Sequence, residues 1–300
     1  MCLQVCIKSI VRTHTRSLQE YLYTRHLLNR FLQEDIGFGD ITSEAVINEN
    51  KICSASIICK TKYPVIVAGL EESDLIFEMC NSCTKYLVKD GDEITAQPVQ
   101  QVLGDAKSIL KAERTALNLI MRMSGIATAT RKFVNIVGAI SKDIRIASTR
   151  KTAPGLRFLD KRAVKLGGGF VHRLSLDQQV LIKDNHIAIS GSVKEAIKRA
   201  KSNSPNIKIE CEVWNTESAL EAISNGADII MLDNFSAADV SDTIAIITKK
   251  GLRNRCMIEV SGGISLQNVR DYALSLPDII SVGSLTHTVK AVDFSLEIDD

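Results

Sequence analysis

Between residues 145 and 284 the chain repeats one pattern: a short apolar run closed by polar residues or glycine, then a helical stretch. The strand-like runs end near Ser148, Ile182, Val213, Leu232, Val260 and Val282, and helical spacing fills 156–167, 192–202, 216–225, 236–249 and 265–275. Strands separated by helices pair in parallel, so this rhythm predicts an α/β barrel of the TIM type, incomplete in its strands. Gly226-Ala227-Asp228, just before the run Ile229–Leu232, reads as a short helix-to-strand turn. No Gly-x-Gly-x-x-Gly follows the first strand, which argues against a dinucleotide-binding sheet.

The first third reads differently. Leu27, Leu28, Phe31 and Leu32 form a helical stripe within 21–33, and 34–42 is a glycine-rich loop. Cys53, Ala55, Ile57 and Cys59 alternate as in a strand, 63–68 is a second strand, and 70–79 is a helix. The spacing predicts strands at 86–88 and 93–96 about the turn Asp90-Gly91-Asp92. A long helix is expected over 106–123, interrupted at Ser124-Gly125 and resumed to about Ala139. This region is mixed α+β.

Charge narrows the function. Lys and Arg number 37 and Asp and Glu 35, a formal +2, so bulk charge gives no reason to expect a nucleic-acid partner. No run of 18 apolar residues exists, so no membrane span is expected. The first residues, MCLQVCIKSIVRTH, are interrupted by Lys8 and Arg12 and read as a short extension or arm, with a transit peptide the other possibility. The eight cysteines are too sparse for a secreted disulfide framework, and Cys80 and Cys83 read as buried or half-buried thiols at a helix end. A reduced, cytoplasmic protein is the expectation.

The polar residues fall where a barrel places its chemistry. Arg150 and Lys151 follow the first strand of the repeat, Lys183 the second, Glu212 closes the third, Asp233 the fourth, Ser261-Gly262-Gly263 the fifth, and Gly283-Ser284 the sixth. All lie on the C-terminal rim, where barrel enzymes keep their active sites. Taken singly, Arg150-Lys151 reads as a solvated loop, Asp233 as a helix N-cap, and Gly262-Gly263 as a turn. Their coincidence on one rim favours a site. Glycines after the last strands suit a phosphate on backbone N–H groups. Arg150, Lys151, His172, Arg173 and Lys183 supply cations for carboxylates. Glu212 and Asp233 suit a water-mediated Mg²⁺ or a developing positive charge.

The segments EDIGFGDIT, AERTALNLIMRMSGIAT, TRKTAPGLRFLDKRAV, GGGFVHRLSLDQQVLIKDNHI, IECEV, GADIIMLDN, EVSGGI and SVGSLTHTVKAVDFSL together resemble the quinolinate phosphoribosyltransferase family, from Glu34 to Leu296. The resemblance implies an N-terminal α+β sandwich domain (1–130, with 288–300 packing back on it) and an incomplete TIM-like barrel (131–287). It implies transfer of the phosphoribosyl group of phosphoribosyl diphosphate to quinolinate with decarboxylation, giving nicotinate mononucleotide for NAD synthesis. Mg²⁺ would accompany the diphosphate, with no direct protein ligand. The family's quinolinate-binding residues carry over to Arg150, Lys151, His172, Arg173 and Lys183, with Arg114 arriving from the second subunit of a homodimer or larger homo-oligomer. Lys151, Glu212 and Asp233 match catalytic positions around the ribose and diphosphate; Glu210 is held in reserve. Ser261, Gly262, Gly263, Gly283 and Ser284 match the 5′-phosphate site.

Two departures stand in this stretch. Val171 replaces an Asn common before the His-Arg pair, and Ser175 a common Gly, so a change of local packing is expected. A molybdenum-transport-associated relative shares the fold, but the intact LIKDNH favours the quinolinate enzyme. The residues alone leave two other readings open: an enzyme on another acidic pyridine or pyrimidine without decarboxylation, and a silent barrel that binds phosphoribosyl ligands.

Overall fold

The computed structural model describes residues 17–48 and 51–299, so the amino-terminal segment MCLQVCIKSIVRTH, with Cys2 and Cys6, lies outside the described residues. The chain divides into two compact units: one from residues 1–128 and 290–300, the other from 129–289.

The first unit is built on an antiparallel sheet of β1 (Ile52–Cys59), β3 (Cys83–Tyr86), β5 (Pro98–Asp105) and β12 (Phe294–Ile298), in the order β12-β1-β5-β3. The carboxy-terminal strand is thus held by the first strand, Phe294 opposite Cys59 and Ile298 opposite Ala55. The short strands β2 (Val65–Ile66) and β4 (Glu93–Ile94) pair separately. Helices α1 (Leu18–Ile36), α2 (Ile41–Val46) and α3 (Leu70–Met79) complete the layer. Leu27, Leu28 and Leu32 of the predicted stripe are buried, in the same unit as Ile57, Ile76, Phe77 and Val102.

Three expectations need correction here. The hairpin about Asp90-Gly91-Asp92 does not form: β3 ends at Tyr86 and pairs with β5, a strand whose polar Gln100 and Gln101 hid it, while β4 pairs with β2. The loop 34–42 is shorter than expected, because α1 runs to Ile36 and Asp40 caps α2 through Ser43. The long helix is not interrupted. Helix α4 (Ala106–Gly138) passes through Ser124-Gly125, where a Cβ on Gly125 would lie 2.2 Å from the Lys290 carbonyl oxygen. That glycine marks close approach of another backbone, not a break. Ser124 Oγ meanwhile accepts the Ala68 N–H at 3.0 Å.

The second unit is an incomplete α/β barrel. Its parallel strands are β6 (Arg145–Ser148), β7 (Val180–Ile182), β8 (Ile209–Val213), β9 (Ile229–Asp233), β10 (Met257–Ser261) and β11 (Ile279–Val282), in the order β6-β11-β10-β9-β8-β7. Phe170 bridges Ala147 in parallel and adds a position beside β6. Among the described residues no ladder joins Phe170 to β7, and the barrel is open there. Helices α5 (Arg157–Leu166), α7 (Val193–Asn203), α8 (Thr216–Ser224), α9 (Ala237–Lys249) and α10 (Val269–Ala273) connect the strands. Two short helices, α6 (Asp184–Ser190) and α11 (Ser284–His287), follow β7 and β11 on the rim and were not foreseen.

Strand alternation decides what each face carries. Cys211, Val213, Ile230, Leu232, Ile258, Val260, Ile280 and Val282 belong to the apolar core with the helices. Their alternates Glu210, Glu212, Met231, Asp233, Glu259, Ser261 and Ser281 therefore point to the barrel axis. Ordinary barrels fill that axis with Val, Ile and Leu. This one holds carboxylates there, and a buried carboxylate must be paired.

Candidate active site

A cavity of ≈ 340 Å³ opens at the C-terminal rim of the barrel, with Ser148, Thr149, Arg150, Lys151, His172, Arg173, Leu181, Lys183, Met231, Asp233, Glu259, Ser261 and Ser281 in its wall. Five predicted cations, Arg150, Lys151, His172, Arg173 and Lys183, thus meet around one space, with Asp233 and Ser261 in the same wall. The remaining predicted residues are placed nearby or apart. Glu212 forms a close ion pair with Lys183. Gly262, Gly263, Gly283 and Ser284 follow the last two strands on the same rim. Arg114 is exposed on α4 in the first unit and does not line this cavity.

The cations crowd one another. Arg173 is buried, and burial and then the charge of Arg150 lower its pKa. Its guanidinium donates to the Gln179 carbonyl at 3.2 Å. Arg150 Nε is buried with no hydrogen-bond partner. Two guanidiniums that repel each other, one with an unpartnered Nε, suit a site that an anion joins.

The acidic residues lie beneath and across. Asp233 does not cap the helix that follows it, because Ser236 caps α9. Instead Asn234, at φ +59°, donates Nδ2 to Asp233 Oδ2 at 2.5 Å, and its backbone N–H bonds the Ser261 carbonyl at 2.9 Å. The carboxylate is thereby fixed on the cavity wall. His172, also left-handed at φ +57°, places Nε2 3.0 Å from Glu259 Oε2 and 3.3 Å from Glu210 Oε2. Burial alone would lower the pKa of His172, but hydrogen bonds to Glu210 and then Glu259 outweigh it and raise the value to about 9. Burial, then the charge of Glu259, raises the Glu210 carboxyl.

Two groups were missed by sequence reasoning. Glu259 sits in the apolar run MIEVS, two residues before Ser261, so strand alternation alone puts it on the axis. The same rule raises Glu210 from reserve to the axis, two residues before Glu212. Lys161, three residues before Val164 on the buried face of α5, is fully enclosed. Its ammonium donates to the Ser148 carbonyl at 2.7 Å and the Val171 carbonyl at 2.5 Å. Burial, then the charge of Arg157, pulls its pKa down to about 7.

This contact also explains the departure at 171. Val171 serves through its carbonyl, which any residue supplies. Ser175 needs no glycine-like backbone, since it is not among the positive-φ residues, and its hydroxyl bonds Asp177. His186 is structural: its Nδ1 accepts the Lys183 N–H at 3.0 Å at the start of α6. Cys80 caps α3 and Cys83 opens β3.

The glycines form a second part of the rim. Gly262, at φ +97°, approaches Asn234 so closely that a Cβ would meet its Oδ1 at 2.3 Å, while the space beside Gly263 is open. A Cβ on Gly283 would lie 3.5 Å from Lys151 Cδ, and Thr286 Oγ1 donates to the Lys151 carbonyl at 2.9 Å. The glycine segment and the cationic loop are therefore tied together.

Comparison with known proteins agrees with this architecture. The model of the quinolinate phosphoribosyl transferase N-terminal domain matches residues 40–124, and that of the C-terminal domain matches residues 126–297. The chain is similar to a probable nicotinate-nucleotide pyrophosphorylase (carboxylating) of Methanocaldococcus jannaschii, 46% identical over 279 residues, 92% of this chain and 97% of that one. It is similar to the nicotinate-nucleotide pyrophosphorylase (carboxylating) of Rattus norvegicus, at 34% identity over 91% of this chain and 90% of that one. The solved structure of nicotinate-nucleotide pyrophosphorylase from Francisella tularensis matches with TM-score 0.85 and 35% identity, covering 92% of this chain and 96% of that one. With both domain models matched in order and relatives aligned along nine-tenths of its length, the chain belongs to the quinolinate phosphoribosyl transferase family.

Proposed function

We propose that the rim cavity is where this chain carries out its family's reaction. The chain is a pentosyltransferase: it transfers the phosphoribosyl group of phosphoribosyl diphosphate to quinolinate with decarboxylation, giving nicotinate mononucleotide, diphosphate and CO₂ for NAD synthesis. The observation that carries the site assignment is the meeting of five basic side chains in one cavity whose axis is acidic.

Quinolinate has two adjacent carboxylates and a ring nitrogen. Arg150, His172 and Arg173 would take the carboxylates, replacing repulsion among themselves with charge-assisted hydrogen bonds. Lys151 and Lys183 stand between that dicarboxylate and the diphosphate. The 5′-phosphate would lie on the backbone of Gly262, Gly263 and Gly283, with Ser261 and Ser284 as hydroxyl donors. The ring nitrogen then displaces diphosphate at ribose C1 through an oxocarbenium-like state, whose positive charge Glu212 and Asp233 stabilise. The pyridinium so formed stabilises the electron pair left on the adjacent ring carbon as its carboxylate departs as CO₂, and that carbon then takes a proton from solvent; no further cofactor is needed. The protein's share is positioning and fixed charge.

Mg²⁺ fits as a companion of the diphosphate. Glu212 and Asp233, on neighbouring strands of the rim, are the carboxylates that would face its hydration shell. Asp233 keeps one oxygen on Asn234, and the other would be free to accept from a water of a hydrated ion. An ion bound there would supply positive charge to the departing diphosphate.

Arg114 would complete the site of a second copy, making a homodimer or larger homo-oligomer the working form. No described helix is long and apolar enough to cross a membrane, and the cytoplasm is the setting we propose. A turnover assay with quinolinate, phosphoribosyl diphosphate and Mg²⁺ tests the reaction. CO₂ and nicotinate mononucleotide should form in equal amounts, and nicotinate should not replace quinolinate. Ligand binding without turnover would refute it.

A further inference from the structure

We infer that Glu259, with Glu210 beside it, is a positioning residue for His172: the two buried carboxylates grip Nε2, keep the imidazole cationic, and leave Nδ1–H to the substrate carboxylate. The inference rests on the reading of the cavity as the quinolinate site.

The geometry is specific. Nε2 lies within hydrogen-bond distance of one oxygen of each carboxylate, and no described residue bonds Nδ1. Both glutamates are essentially without solvent contact, and the second oxygen of each has no partner. Two carboxylates buried on a barrel axis are unfavourable unless a cation joins them, and His172 is the group that reaches both. Gln179 Nε2 adds one further bond to Glu210, at 2.6 Å. The ring is held on a third side by the edge of Phe170, 6.3 Å between centroids at 67°.

The backbone supports the same end. A left-handed φ at a residue with a Cβ needs compensation from its surroundings. Lys161 of α5 fixes the carbonyl just before His172, and the glutamates fix the ring just after it. The imidazole is clamped from both ends.

The charges facing His172 are Glu210 from β8, Glu259 from β10, and Arg173 beside it on the same loop. Across the cavity stand Arg150 and Lys151 after β6, Lys183 after β7, and Asp233 of β9. Without the two carboxylates a fifth cation among these would be expelled as a proton near neutrality. With them, the imidazole stays protonated to about pH 9. His172 then serves as a fixed cation and not as a proton shuttle.

The test uses the full-length enzyme with Glu259→Gln and Glu210→Gln. The His172 imidazole is followed by ¹⁵N NMR, with its signals assigned through His172→Gln. Protonation should persist to about pH 9 in the wild type and retreat by at least about one pH unit in Glu259→Gln. KM for quinolinate in that variant should rise at least about tenfold between pH 6.5 and 8.5, while KM for phosphoribosyl diphosphate stays flat. A wild-type imidazole that titrates near its ordinary value, or one unmoved in Glu259→Gln, overturns the inference. Movement of the ring titration without any change in quinolinate KM leaves the grip standing and sinks the cavity assignment instead. Should Glu259→Gln fail to fold, Glu210→Gln carries the same readout, and an unmoved imidazole there overturns the proposal.

Discussion

Gly262 and Asn234 touch: a Cβ on Gly262 would lie 2.3 Å from Asn234 Oδ1 and 2.7 Å from its backbone nitrogen. Asn234 in turn holds Asp233. The glycine segment after β10 and the Asp233 carboxylate of β9 are therefore one packed unit. Gly262→Ala should displace both. KM for phosphoribosyl diphosphate should rise at least about tenfold, and stability should fall by roughly 1–3 kcal/mol for the strained φ. Gly263→Ala meets open space and should cost only about 1–2 kcal/mol. Steady-state kinetics and denaturant unfolding of both variants check the order.

Lys151 is exposed and Arg173 is buried, yet both line the cavity. Lys151→Ala should fold normally and lose at least about a hundredfold in kcat/KM, because it removes charge stabilisation at the reacting centre. Arg173→Ala should lose as much, chiefly through quinolinate. Near-normal kcat/KM in both folded variants would contradict their roles.

Lys161 tests the scaffold separately from the chemistry. Lys161→Met fills the same volume but leaves the Ser148 and Val171 carbonyls without their donor. Unfolding free energy should fall by roughly 1–3 kcal/mol. The loss should be larger above pH 7 than below it, since burial pulls the lysine to about 7 and the wild-type cost of its charge is present in full below that value.

His172 gives stability the opposite dependence on pH. Its folded pKa of about 9 stands above the ordinary 6.5, so the folded state binds the extra proton between the two. The stabilisation is complete below pH 6.5 and is lost as pH rises through 9. Its size is on the order of 3 kcal/mol. Urea unfolding of the wild type and His172→Gln from pH 6 to 9.5 isolates this contribution in the difference between the two proteins, since Lys161 contributes equally to both: the wild-type advantage should be full below pH 6.5 and shrink as pH rises through 9.

Arg114 is assigned to the partner's site, and reassortment tests that. Arg114→Ala and Lys151→Ala homo-oligomers should each be inactive. Mixed and exchanged, they should recover roughly a quarter of wild-type activity if each site draws on two chains of a dimer. No recovery after demonstrated exchange would place Arg114 elsewhere.

The barrel was legible because its signal is periodic and repeated. Each apolar run from Ile146 to Val282 became a strand, and each closing polar residue reached the rim. The cations at 150, 151, 172, 173 and 183 were legible as types, and the cavity that joins them follows from the parallel order of the strands. What stayed hidden was polar chemistry inside apolar runs. Glu259 and Glu210 sit in strands whose neighbours are buried hydrophobes, and only the alternation of faces separates axis from core. Lys161 carries no local signal of its role, because its two carbonyl partners come from segments thirteen residues before and ten after. Ser124-Gly125 misled for a related reason: a glycine signals a break locally, while the Lys290 backbone that it accommodates is far along the chain.

The most direct test of the site is the structure of the enzyme with quinolinate bound. Both carboxylates should lie within hydrogen-bond reach of Arg150, Arg173 and His172 Nδ1, with the ring nitrogen turned toward Asp233 and the glycines of β10 and β11. Quinolinate found instead in the other barrel cavity, between Arg145, Lys142 and Phe170, with the rim cavity empty, would contradict the account.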